Sequence, residues 1–120
     1  MAHPTELIIN AIKNKNAFTV QFVSGQITDS YMITKVYNQL MEVAQKPTGP
    51  KLILDFGNVT NISSEALGKL LTLHKTAAES GGSVSLAAVD DANIRSVFQI
   101  TQLDKVFSIY SSVTEAEEQL

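Results

Sequence analysis

The feature that most restricts this chain is the run Leu52-Ile53-Leu54-Asp55-Phe56, set directly behind Lys46-Pro47-Thr48-Gly49-Pro50. Two prolines and a glycine within five residues cannot carry a helix forward, so the backbone must start a new element there. That element is apolar at nearly every position and reads as a central strand covered on both faces.

The rest of the chain supplies what would cover it. Leu7 to Ile12 is mostly apolar, and after Asn14-Lys15-Asn16 the residues Phe18, Val20 and Phe22 alternate with Thr19 and Gln21, predicting two strands joined by a turn and closed by Gly25. From Ser30 to about Gln45, Met32, Val36, Leu40 and Val43, with Ile33, Tyr37 and Ala44 beside them, have the spacing of one helix face, capped by Asp29 or Ser30. Tyr31, Met32 and Tyr37 stand open between core and partner. A second helix is predicted behind Ser63 and Ser64, running to Glu79 and stopped by Gly81-Gly82. Its apolar arc holds Ala66, Leu67, Leu70, Leu71, Leu73, His74, Ala77 and Ala78. Val84, Leu86 and Ala88 give a fourth strand, Asp90-Asp91 start a third helix, and Val106 to Tyr110 give a fifth strand. Ser112 with Glu115, or Thr114 with Glu117, would box a terminal helix ending near Leu120. The order β-β-α-β-α-β-α-β-α predicts an α/β fold, a mixed five-stranded sheet with about four helices, in one domain over residues 1–120 with a flexible tail at 1–6.

Composition excludes several functions. Net charge is −3 and the nine basic residues are scattered singly, whereas neutralising nucleic-acid phosphates needs them clustered. The chain has no cysteine, which rules out disulfides and thiolate chemistry. No apolar run approaches the roughly 18–20 residues of a membrane span, and the first residues lack a leader pattern, so no membrane association and a cytoplasmic location are expected. The glycines match neither G-x-G-x-x-G nor a P-loop, and the only histidines are His3 in the tail and His74 on a helix face, so no cofactor and no metal are expected. Ser64, His74 and Asp55 invite a catalytic triad, but ten residues of one helix separate Ser64 from His74 by about 15 Å, against a needed contact near 3 Å. No catalytic residue is assigned and no enzyme is expected.

The distinctive site is Ser63-Ser64-Glu65, where the turn after the central strand enters the second helix. One serine there caps the helix, and Glu65 complements the positive end of its dipole. A phosphoryl group on such a serine would add about −1.5 to −2 charges at a place its own fold tolerates. A partner docked over the same spot would have to desolvate that charge, so one covalent change could control association.

The stretch from Leu52 through Asp55, Gly57, Asn58, Ser63, Ser64 and Glu65 to Leu67-Gly68 resembles the STAS domain of bacterial anti-sigma factor antagonists. Gly25-Gln26-Ile27-Thr28 is similar to that family's early G-E-hydrophobic-D turn, Gly81-Gly82 to its glycine pair, and Phe98 to Phe107 to its late F-x-I-T-G-L-x-x-hydrophobic-F pattern. The resemblance implies a STAS-like fold and a phosphorylation switch. The unmodified domain would bind a serine kinase that doubles as an anti-sigma factor, phosphorylation by that kinase would abolish binding, and a metal-dependent serine phosphatase would reset it. Aligned on Leu67-Gly68, the family's phosphorylated serine falls at Ser64, with Ser63 a weaker candidate, and the partner surface takes in Thr28, Asp29, Ser63, Ser64 and Glu65. The chain departs from the family's D-S-[ST]-G-L-G: Ser63 stands for the aspartate, Glu65 for the second hydroxyl residue and Ala66 for the first glycine, while Thr28 replaces the early aspartate and Gln102 a late glycine. The altered loop leaves a second possibility open, a constitutive adaptor or assembly module without a switch. A small-molecule or nucleotide binder is the third.

Overall fold

The structure is a computed structural model and describes residues 6–120. The expected tail at 1–6 lies outside the described residues except for Glu6. The Glu6 C=O accepts the Val23 N–H at 3.1 Å, and its carboxylate meets Lys35 at 3.6 Å.

Strands β1 (Leu7–Ile12), β2 (Ala17–Phe22), β4 (Lys51–Asp55), β6 (Ser83–Ala87) and β7 (Ile109–Tyr110) form one sheet in the order β1-β2-β4-β6-β7. β1 is antiparallel to β2 and every other neighbour is parallel, so the sheet is mixed, as the order of elements predicts. β4 takes the centre because Leu52, Ile53 and Leu54 have side chains on both faces that must leave water, and all three are buried. On one face Leu52 and Leu54 join the main core with Val20, Phe22, Val84 and Leu86, under helices α1 (Ser30–Ala44), α2 (Ser64–Glu79) and α3 (Ala92–Ile100). On the other, Ile53 and Ala87 pack with Ala116 of the short helix α4 (Val113–Glu118).

α2 buries Ala66, Leu67, Leu70, Leu73 and Ala77 as its periodicity requires, but Ala78, expected on the same arc, is exposed, and His74 and Leu71 lie at the rim. α4 begins at Ser112, whose Oγ accepts the Glu115 N–H at 3.1 Å. The reciprocal half of the capping box is not made, because the Glu115 carboxylate takes the Ser111 hydroxyl instead.

Two expectations need correction. The predicted fifth strand, Val106 to Tyr110, is only Ile109–Tyr110. A 3-10 turn at Leu103–Lys105 precedes it, and the N–H groups of Val106 and Phe107 both reach back 3.0 Å to the Leu103 C=O, which curls this stretch and drives Phe107 into the core. Ala88, predicted in the fourth strand, lies just past β6 at φ 58°, its N–H bonded to the Tyr110 C=O at 3.0 Å. The structure also adds two strands that no pattern predicts, β3 (Gln26–Ile27) and β5 (Asn61–Ile62), which pair in parallel as a separate small sheet. Two-residue strands are too short to show a period.

Candidate functional site

That small sheet assembles the site. Gln26 pairs with Asn61 and Ile27 with Ile62, and the Ser63 N–H donates to the Ile27 C=O at 3.0 Å. Because both strands run directly into helices, the pairing sets the start of α1 beside the start of α2. Thr28-Asp29 thereby comes alongside Ser63-Ser64-Glu65, although about 35 residues separate them in sequence. The start of α3 approaches as well, with the Asn93 side-chain amide donating to the Thr60 C=O at 3.5 Å.

Each expected residue has a distinct place. Asp29, rather than Ser30, caps α1: its Oδ2 accepts the Met32 N–H at 2.9 Å. Ser63 caps α2, with its Oγ accepting the Ala66 N–H at 3.2 Å, a bond whose loss typically costs about 1 kcal/mol. Ser63 is half-buried, whereas Ser64, the first residue of α2, is exposed and its hydroxyl makes no hydrogen bond among the described residues. Thr28 is exposed too. Glu65 does not point freely into water, since the Ser30 hydroxyl donates across the gap between helices to its two oxygens, at 2.7 and 3.0 Å.

Local spacing marks Ser30 only as a possible cap, since a contact between residues 30 and 65 leaves no trace in it. The bridge holds a carboxylate in place at the joint mouth of α1 and α2, where Asp29 already contributes a second negative charge. Both charges are favourable there because each lies over a helix N-terminus. The nearest turn of α2 that carries a cation keeps it turned toward the α1 seam: the Lys69 ammonium stands 4.6 Å from the centre of the Tyr37 ring.

Asp55 and His74, two members of the triad that helix geometry rejects, have structural roles of their own. Asp55 Oδ1 accepts the Gly57 N–H at 2.8 Å and so shapes the turn after β4. His74 packs edge-on against Phe107 with ring centres 5.0 Å apart, and its Nδ1 is buried without a partner among the described residues. The slot between α1 and α2, floored by Phe22, Phe56 and Leu73, measures about 30 Å³, and a hollow beside Arg95, Phe98 and Asp104 about 180 Å³. Both fall short of the ~300–1,000 Å³ usual for small-molecule sites. No group of three or more His, Asp or Glu side chains is placed to hold a metal among the described residues, and no helix there is long and apolar enough to cross a membrane.

The mixed sheet gathers helix starts at the carboxyl ends of its parallel strands, and one of those starts carries an exposed hydroxyl. The family model described as STAS domain matches residues 9–116, and the chain belongs to that family. A Thermotoga maritima protein described as a candidate anti-sigma factor antagonist is 30% identical over 70 residues, which is 58% of this chain but only 61% of that relative's length. In three dimensions the chain is similar to a crystal structure of a candidate anti-sigma factor antagonist from Thermotoga maritima, with TM-score 0.77, 19% identity and coverage of 94% of this chain and 92% of the other. It is similar also to the Bacillus cell fate determinant SpoIIAA in its phosphorylated form, with TM-score 0.70, 15% identity and coverage of 94% and 97%.

Proposed function

We propose that this chain, acting as one STAS domain over its 120 residues, is an anti-sigma factor antagonist of the cytoplasm: it binds a serine kinase that is also an anti-sigma factor, and phosphorylation of Ser64 ends the binding. A serine phosphatase resets it, and the chain performs no catalysis itself. The observation that carries this reading is the contrast between the two serines. Ser63 Oγ is occupied in capping α2, while the Ser64 hydroxyl is exposed at the first turn. The solution of the fold neighbour SpoIIAA in a phosphorylated form supports it.

The physics of the switch follows from where Ser64 lies. A phosphate there meets the positive end of α2, so the domain's own fold accepts it. It also joins Asp29 and Glu65, which are already negative. Two unit charges about 6 Å apart repel by about 0.7 kcal/mol in water and by about 3 kcal/mol under a docked, water-excluding surface. Thr28, Asp29, Ser63, Ser64 and Glu65 therefore form a face that a partner can cover while Ser64 is unmodified and rejects once it is not.

The test is to incubate the chain with a serine kinase of the anti-sigma type and ATP, locate the phosphate by mass spectrometry, and compare kinase binding of wild type, Ser64→Ala and Ser64→Asp. Phosphate on Ser64, none on Ser64→Ala, and at least about tenfold weaker binding of Ser64→Asp are expected. Absence of phosphate from both serines with Ser64→Asp binding unchanged would overturn the switch and favour a constitutive adaptor, for which the already fixed Glu65 carboxylate is the structural argument.

A further inference from the structure

β1 is the first strand of the sheet and carries nothing on its outer side among the described residues. In an antiparallel pair alternate residues direct their N–H and C=O groups toward the neighbour. The Val23 N–H bond to the Glu6 C=O fixes the phase, so Glu6, Ile8, Asn10 and Ile12 bond to β2, while the backbone groups of Leu7, Ile9 and Ala11 point outward. Such an edge is normally guarded by a lysine, a proline or a bulge. β1 reads LIINAI and has none of these, and Ile8 and Ile9 are 43% and 38% exposed, with Val23 beyond the end of β2 at 49%. α4 lies against β4, β6 and β7, which leaves Ile8 and Val23 uncovered.

We propose that β1 pairs with β1 of a second copy of this chain, antiparallel about a two-fold axis at Ile9, so that two five-stranded sheets become one continuous sheet. A second copy is the fitting occupant because the outward pattern is its own complement. With Ile9 opposite Ile9, Leu7 of each copy falls opposite Ala11 of the other, a large residue against a small one, and every outward backbone group of these three residues finds a partner. No charge lies within the strand, so pairing it with itself sets no like charges against each other. The edge is separate from the mouth of α1 and α2, and the dimer is read from mass rather than from kinase binding, so it stands or falls apart from the Ser64 switch.

Sedimentation equilibrium from about 10 μM to about 1 mM should show the mass rising from 13.0 kDa toward twice that value. Ile9→Lys sets two ammonium groups face to face and should weaken association at least about tenfold while leaving the circular dichroism of the monomer unchanged. Because the chain has no cysteine, Ile9→Cys provides a second measurement: Cα atoms about 5.5 Å apart in a bonded pair suit a disulfide, so mild oxidation should link this variant to itself, and Glu42→Cys on exposed α1 should stay unlinked. A mass that remains 13.0 kDa throughout, or a dimer undiminished by Ile9→Lys, overturns the proposal. Should Ile9→Lys fail to fold, the cross-link decides, and its absence overturns the proposal equally.

Discussion

Gln102 stands at φ 61° and ψ 18°, the left-handed conformation that costs a residue with a Cβ about 1–2 kcal/mol. The F-x-I-T-G-L pattern that this stretch resembles has glycine at that place, and the positive φ gives the reason: the chain turns there from α3 into the 3-10 turn that delivers Phe107 to the core. Gln102→Gly should relieve more strain than it adds in unfolded-state freedom, raising stability by about 0.5 kcal/mol and the melting temperature by about 2 °C in a calorimetric scan. A lowered melting temperature would mean that the glutamine side chain contributes something its exposed position does not suggest. The candidate site shows the same dependence on single residues. Caps at Asp29 or Ser30 and at one of Ser63 and Ser64 are legible because short polar side chains before an apolar period have few other uses. The division of labour between Ser63 and Ser64 is not, since which hydroxyl turns inward depends on backbone angles one residue apart.

Among the elements, the two-residue strands β3 and β5 have more influence than their length suggests. The Gly25 C=O accepts N–H groups from Thr60 at 2.8 Å and Asn61 at 3.2 Å, which fastens the turn after β2 to the turn after β4 and holds α1 and α2 in register at their starts. A Cβ on Gly25 would lie 2.7 Å from the Asn58 carbonyl oxygen, closer than side-chain carbons are found, and backbone cannot step aside as a side chain can. Gly25→Ala is expected to destabilise the fold by about 1–3 kcal/mol in urea titration and, by parting Asp29 from Ser63, to weaken the proposed partner binding as well. Unchanged stability would show that the two turns move apart without cost. Linear reading placed Gly25 at a strand end and saw a family turn in Gly25 to Thr28, but its approach to Asn58 is a contact between segments over thirty residues apart.

At the scale of the molecule, Phe56 joins the halves. Its ring meets Phe22 at 5.4 Å and Phe98 at 5.8 Å, both edge to face, linking the hairpin, the central strand and α3 in one stack that is almost wholly buried. Phe56→Ala should cost about 3–5 kcal/mol, a large share of the 5–15 kcal/mol of an ordinary domain, and should lower the urea midpoint accordingly. A loss under about 1.5 kcal/mol would remove Phe56 from that central role. The mixed sheet, the cover on both faces of its central strand and the order of the longer elements are legible in sequence, because each rests on a local period: two residues for strands, 3.6 for helices, and unbroken apolar sequence for the strand covered twice. The curled stretch at Val106 and Phe107 was not readable. Apolar residues there look like a strand until the backbone bonds to Leu103 show otherwise.

The sequence by itself determined where the long helices and strands form and that β4 lies at the centre, since both depend on how neighbouring residues partition between water and core. Only the tertiary structure decided which residues meet: Ser30 with Glu65, Gly25 with Asn58, and, among the described residues, nothing with the outer edge of β1. Those outcomes depend on how separated segments close on one another, and the pairing of β3 with β5 fixes that closure through backbone hydrogen bonds, which every residue type but proline can make in full and which therefore leave no signature in side-chain order.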